Sequence, residues 1–115
     1  MDIVAIMGSP RKHANTDMLL DEMIRGAEEN GHNVVKHYIG DLDVHACRAC
    51  GVCMSGKDCV FKDDGFTVTH QIAEAEGLIV STPIYFGQMT GDLKVLLDRM
   101  YGITHNPLIP LSGKS

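Results

Sequence analysis

Residues 2–16, DIVAIMGSPRKHANT, decide the fold. Residues 2–7 are a short, almost unbroken apolar run, the pattern of a strand covered on both faces rather than one with a wet side. A Gly-Ser-Pro turn stops it, and a polar loop runs to Asn15. From there Leu19, Leu20, Met23, Ile24 and Ala27 recur at helical spacing, and Asn30-Gly31 supplies a C-terminal stop. Strand, polar turn and amphipathic helix make the opening of a βαβ unit.

The rest of the chain repeats that alternation. Residues 33–39, NVVKHYI, read as a second strand and 77–82, GLIVST, as a third. Asp63 or Asp64 can cap a helix carrying Val68, Ile72 and Ala75. Thr90 can cap a last helix with Leu93, Leu96, Leu97 and Met100 inward, ended by NPLIP. Three such repeats predict an α/β domain with a parallel sheet and helices on both faces.

Composition sets outer bounds. The 115 residues suit one domain, and 44% hydrophobic with 22% charged residues suits a folded one. Ten basic against fifteen acidic residues, net −5, argue against a nucleic-acid partner, because nothing neutralises a row of phosphates. No apolar run approaches the roughly 18 residues of a membrane span, and the N-terminus lacks a signal-peptide pattern. The expected location is the cytoplasm, where thiols stay reduced.

Two loops fall where parallel sheets bind ligands, beyond strand C-termini. In GSPRKHANT, residues 8–16, Gly8 allows close backbone approach, Ser9 and Thr16 bring hydroxyls, and Arg11 brings a fork. Asn15 marks a helix N-terminus that favours an anion, and His13 lies in the same loop, as a surface position or as a further phosphate contact. This reads as a monophosphate cradle or as a plain surface loop capped by Asn15; it is neither a Walker loop nor a Gly-x-Gly-x-x-Gly turn. In TPIYFGQMTGDLK, residues 82–94, a proline, two aromatics and two glycines suit a flat apolar ring. The alternative packs Tyr85 and Phe86 under the sheet edge.

All four cysteines fall in CRACGVCMSGKDC, residues 47–59, with the spacing C-x2-C-x2-C-x5-C. Such steps suit thiolates converging on a soft metal or a cubane cluster, and Gly51 and Gly56 let the loop wrap. Zinc and unligated thiols stay open as alternatives. The six histidines show no ligand spacing, the seven methionines read as gap-filling core and helix-face residues rather than electron carriers, and Asp98 and Arg99 read as making an intrahelical or loop-bracing salt link. No nucleophile–base pair or Gly-x-Ser-x-Gly elbow stands out, which favours redox chemistry over hydrolysis.

These residues together resemble a known family. GSPRKHANT is similar to the flavin phosphate loop of the flavodoxin-like NADPH-dependent FMN reductases. TPIYFGQMTGDLKVLLDR is similar to that family's ring-binding loop and following helix. The cysteine string followed by VFKDD resembles the cluster motif of the iron-sulfur flavoprotein branch. The resemblance implies a doubly wound flavodoxin-like fold over residues 1–115, with a cluster loop at 45–62 between strand 2 and helix 2. It implies FMN held at its phosphate by Ser9, Arg11, Asn15 and Thr16, with Pro83, Ile84, Tyr85, Phe86 and Gly87 along the isoalloxazine. It further implies a [4Fe-4S] cluster on Cys47, Cys50, Cys53 and Cys59 and electrons from NAD(P)H or ferredoxin; the open sheet edge and the loop-borne cluster favour a homo-oligomer, dimer or tetramer. No residue is assigned as an acid or base. The family sheet has five strands ordered 2-1-3-4-5, whereas three are counted here in the order 2-1-3, with LSGKS as lead-in to a fourth. The expectation is a truncated sheet, part of a longer protein or completed by edge pairing in a dimer.

Overall fold

A computed structural model describes residues 2–9 and 11–104. Strand β1 (Asp2–Met7) leads to helix α1 (Asn15–Glu29), β2 (Asn33–Tyr38), a long loop, and α2 (Asp64–Glu74). Strand β3 (Gly77–Ser81), α3 (Gly91–Arg99) and one last turn, α4 (Tyr101–Thr104), follow. The expected stop at NPLIP and the lead-in LSGKS lie outside the described residues.

The sheet is parallel, in the order β2-β1-β3, with Ile3 opposite Val34 on one side and Gly77 on the other. As the central strand, β1 buries Val4, Ala5, Ile6 and Met7, which explains why its sequence does not alternate. Ala5 and Met7 pack with Leu20 and Ile24 of α1. Val4 and Ile6 meet Val68 and Ile72 of α2 and Leu93 and Leu96 of α3 on the opposite face. Removing a fully buried leucine such as Leu20 or Leu96 leaves a cavity costing about 2–5 kcal/mol.

The caps behave as expected. Asp63 Oδ1 accepts from the Phe66 amide at 3.1 Å and Thr90 Oγ1 from the Leu93 amide at 3.3 Å. Gly31, at φ 86°, follows the C-cap Asn30.

Some expectations are corrected. Strand 2 stops at Tyr38, and Ile39 turns into a 3-10 turn, where it still joins the core. The third strand stops at Ser81. The inner face of α1 is narrower than the apolar spacing implied: Leu19 and Met23 lie 64% and 51% exposed, while Asp17 is buried. Met18, on α1, and Met54, in the cysteine loop, are also exposed. Among the described residues both outer strands are open edges, and β3 shows Leu78 and Val80 half-exposed. Among the described residues no helix is long and apolar enough to cross a membrane.

Candidate functional site

The two ligand loops share one base. Gly8 leaves β1 and its amide donates to the Ser81 carbonyl at 2.6 Å, at the end of β3. A Cβ at Gly8 would stand 2.9 Å from both that oxygen and Leu93 Cδ2, so close approach is what requires glycine. Thr90 Oγ1 donates to the Gly8 carbonyl at 2.5 Å, and Ser81 Oγ donates to the Thr16 carbonyl at 3.1 Å. Strand ends, the start of α1 and the start of α3 are thereby tied at a single point.

From that base the first loop opens outward. Ser9 is buried and its Oγ accepts from the Arg11 amide at 3.1 Å, while the Arg11 side chain is exposed. Helix α1 begins at Asn15, so Asn15 is not its cap; Ala14 precedes it, and no side chain caps the helix. The first-turn amides and the positive end of the helix dipole are thus left facing the loop. Asn15 is exposed and Thr16 half-buried beside them. His13 takes a left-handed φ of 61°, its side chain largely in solvent, with its amide donating to Asp17 Oδ2 at 2.8 Å.

Asp17 braces this loop from beneath, a role the sequence did not disclose. Its buried carboxylate pairs with the Lys36 ammonium and accepts from the Tyr38 hydroxyl at 3.0 Å. Lys36 also bonds Asp21 Oδ1 at 2.6 Å and lies 4.3 Å from the Tyr38 ring centroid. Burial pushes the Asp17 carboxyl upward, but Lys36, the His13 amide and Tyr38 outweigh it and hold the group below its ordinary range. Burial lowers Lys36, and Asp17, Asp21 and Tyr38 more than offset it, leaving the ammonium favoured.

The second loop is a hairpin. Tyr85 and Gln88 exchange backbone bonds of 2.8 and 3.0 Å around Phe86 (φ 52°) and Gly87 (φ 74°), the two positive φ values of a type I′ turn. Thr82 Oγ1, donating to the Pro83 carbonyl and accepting from the Thr90 amide at 3.3 Å, pins its base. Ile84, Tyr85 and Phe86 stand out in solvent, Phe86 entirely. They do not pack under the sheet edge. The 8–16 and 82–94 loops therefore meet through Gly8, Thr16, Ser81 and Thr90, while Arg11 and Phe86 remain at the outside.

The thiols form a second centre. Cys47, Cys50, Cys53 and Cys59 all line one cavity of about 20 Å³, with Phe61, Arg99 and Tyr101. Left-handed Gly51 (φ 79°) and Gly56 (φ 88°) bracket a 3-10 turn that carries the buried Cys53. Among the described residues, no three of His, Cys, Asp and Glu stand close enough together to hold a metal ion. Four cysteines and Arg99 border that cavity; sulfur suits iron as an element, but the thiols are too spread in this structure to close on one metal–sulfur group.

Arg99 is the bracing residue of that centre. Its Nη1 donates to Asp63 Oδ2 at 2.7 Å and to the His45 carbonyl at 2.9 Å; its Nη2 donates to the Phe61 carbonyl at 3.2 Å and to Cys59 Sγ at 3.5 Å. Burial pushes the Asp63 carboxyl up, but Arg99 and the His45 and Phe66 amides carry it far below the usual carboxylate range. Of the salt links expected at Asp98 and Arg99, the intrahelical one joins Asp98 to Lys94 and the loop-bracing one joins Arg99 to Asp63.

An α/β sheet ordered 2-1-3, with a helix N-terminus and an apolar hairpin beyond its strand ends, defines the flavodoxin-like class. Solved structures agree: an apo NADH:FMN oxidoreductase superposes with a TM-score of 0.66 at 27% identity, covering 89% of this chain and 52% of that one. A NAD(P)H:quinone oxidoreductase from Methanothermobacter marburgensis gives 0.74 at 15% identity over 88% and 53%. The chain belongs to the NADPH-dependent FMN reductase family, whose profile matches residues 1–114. It is similar to an iron-sulfur flavoprotein of Archaeoglobus fulgidus, 33% identical over 99% of this chain and 51% of that protein. One from Methanosarcina thermophila is 35% identical over 86% and 52%. The chain spans about half the length of the curated relatives it matches.

Proposed function

We propose that the chain carries the phosphate-binding and ring-facing portion of an FMN-dependent oxidoreductase of the iron-sulfur flavoprotein type. It would move electrons between NAD(P)H or ferredoxin, FMN and a [4Fe-4S] cluster. The observation that carries this reading is the shared base of the two loops, where Thr90 and Ser81 fasten the β3–α3 hairpin to Gly8 and Thr16. Support for the cluster comes from four thiols on one cavity and from relatives named iron-sulfur flavoproteins.

In this reading Ser9, Arg11, Asn15 and Thr16 hold the phosphate, the uncapped α1 amides contributing the fixed donors. Pro83, Ile84, Tyr85, Phe86 and Gly87 supply the apolar wall that excludes water from the ring. Cys47, Cys50, Cys53 and Cys59 supply thiolate ligands. When bound, FMN supplies hydride and single-electron chemistry and the cluster single-electron chemistry, so no side chain need act as acid or base. The open β3 edge supports assembly with a further strand, in this protein or in a second copy.

The test is an anaerobic absorption spectrum with iron, zinc and flavin assays on the purified protein. Iron near four per chain with FMN supports the full reading. FMN without iron leaves an ordinary flavin reductase with unligated thiols, the reading that the spread of the sulfurs favours. One zinc per chain without flavin selects a zinc-binding module and overturns the proposal. Arg11→Ala then separates phosphate from ring binding: FMN affinity is expected to fall about tenfold or more, from a lost charged hydrogen bond of about 1.5–3 kcal/mol, with riboflavin affinity unchanged.

A further inference from the structure

Asp17 does more for α1 than a helix start requires. An acidic residue at this place in the first turn ordinarily accepts from the amide of the cap residue, closing a capping box, and here the cap is Ala14. Asp17 Oδ2 instead accepts from the His13 amide at 2.8 Å, one residue earlier. That reach goes with a left-handed His13, φ 61°, a conformation that strains a residue other than glycine. The His13 side chain is 83% exposed, so it gains no burial in return. Asp17 itself is fully buried, with Lys36 and Tyr38 of β2 as its other partners. A buried ion pair is by itself weak evidence of stabilisation, because desolvation offsets the attraction. Stability alone leaves both the displaced bond and the strained residue unexplained.

We propose that Asp17 is a positioning residue for the phosphate site: through the His13 amide it presets the 8–16 loop in the shape that receives a phosphate monoester at the start of α1. The inference rests on the FMN reading above. A carboxylate on the cap amide would stand where an anion binds. Drawn to His13, Lys36 and Tyr38 it leaves that place clear, and the Lys36 ammonium offsets its charge. The loop between Ser9 and Asn15, which carries Arg11, is thereby fixed before the ligand arrives, so binding has less chain to order. Without the brace, His13 would favour ordinary backbone conformations, and the receptive loop would become a minor population. Selectivity for the phosphorylated flavin over riboflavin then depends on a residue that need not touch the phosphate.

The experiment titrates FMN and riboflavin into the purified flavin-free protein by flavin fluorescence, beside urea denaturation of each variant. Asp17→Ala is expected to weaken FMN about tenfold or more and to leave riboflavin affinity in place. Adding His13→Gly removes the left-handed penalty, so the double variant is expected to regain most of the FMN affinity while its stability stays low. FMN affinity unchanged in Asp17→Ala, or FMN and riboflavin weakened alike, overturns the proposal and leaves the FMN reading intact. A double variant that regains no FMN affinity also overturns it. Should Asp17→Ala fail to fold, the exposed position decides: His13→Val is expected to bind FMN about tenfold more weakly than His13→Gly, and equal affinities overturn the proposal. Wild-type protein that binds no FMN overturns both readings, which separates that failure from this one.

Discussion

Thr90 and Gly8 lie 82 residues apart in the chain and share a hydrogen bond of 2.5 Å, the Thr90 hydroxyl donating to the Gly8 carbonyl while accepting from the Leu93 amide. One hydroxyl therefore caps α3 and fastens the 82–94 loop to the 8–16 loop.

Thr90→Val removes both bonds and leaves a buried carbonyl and a helix amide unpaired. The expected cost is about 2–3 kcal/mol, with weaker FMN binding, while Thr90→Ser recovers most of each. Urea denaturation and flavin titration of the two variants measure the difference.

Gly8→Ala is expected to destabilise by about 1–3 kcal/mol, since the added methyl meets the Ser81 carbonyl, which is backbone and cannot swing away. Gly26 is the contrast: it lies within α1 with nothing inside 4 Å of an added Cβ. Gly26→Ala should stabilise by about 0.5–1 kcal/mol. Both effects are read from denaturation midpoints.

Asp17 gives stability an acid limb. Its carboxyl titrates in the folded state below the ordinary 3.8, so the unfolded chain binds the proton first. The contribution is complete above about pH 4 and is lost as pH falls through the folded value. Asp17→Asn should lower stability at neutral pH and flatten that acid limb. Lys36 acts in mirror image: its folded value is raised, so its contribution is complete below about pH 10 and is lost as pH rises through the folded value. The double variant should cost less than the sum of the singles by about 1–3 kcal/mol.

Phe86 carries a side chain that touches nothing in a backbone region that favours glycine. Phe86→Ala should leave stability within about 0.5 kcal/mol, and Phe86→Gly should raise it by about 0.5–1 kcal/mol by relieving the left-handed strain. Both should weaken flavin binding, the combination expected of a residue kept for a ligand.

The strands and caps were legible because their causes are local. Residues 2–7 are apolar throughout since both sheet faces are covered, and Asp63 and Thr90 cap because their oxygens reach amides three residues on. The width of the α1 stripe was not legible: Leu19 and Leu20 are equally apolar, and only contact with Ala5 and Met7 selects Leu20. Nothing in the sequence marked Asp17 as buried, because its partners Lys36 and Tyr38 come from a strand about twenty residues away. The cysteine spacing announced a shared centre. It held no sign that Arg99, forty residues beyond Cys59, would reach it.

The order β2-β1-β3 also has a bearing on synthesis. Of the three strands, the one synthesised first is the central one, and Ile3 waits for Gly77 before its second edge is closed. At about 5–20 residues per second, that interval lasts roughly 4–15 s. Throughout it an apolar strand stands half-paired in the crowded cell, an opening in which a chaperone or a misplaced neighbouring chain competes with β3.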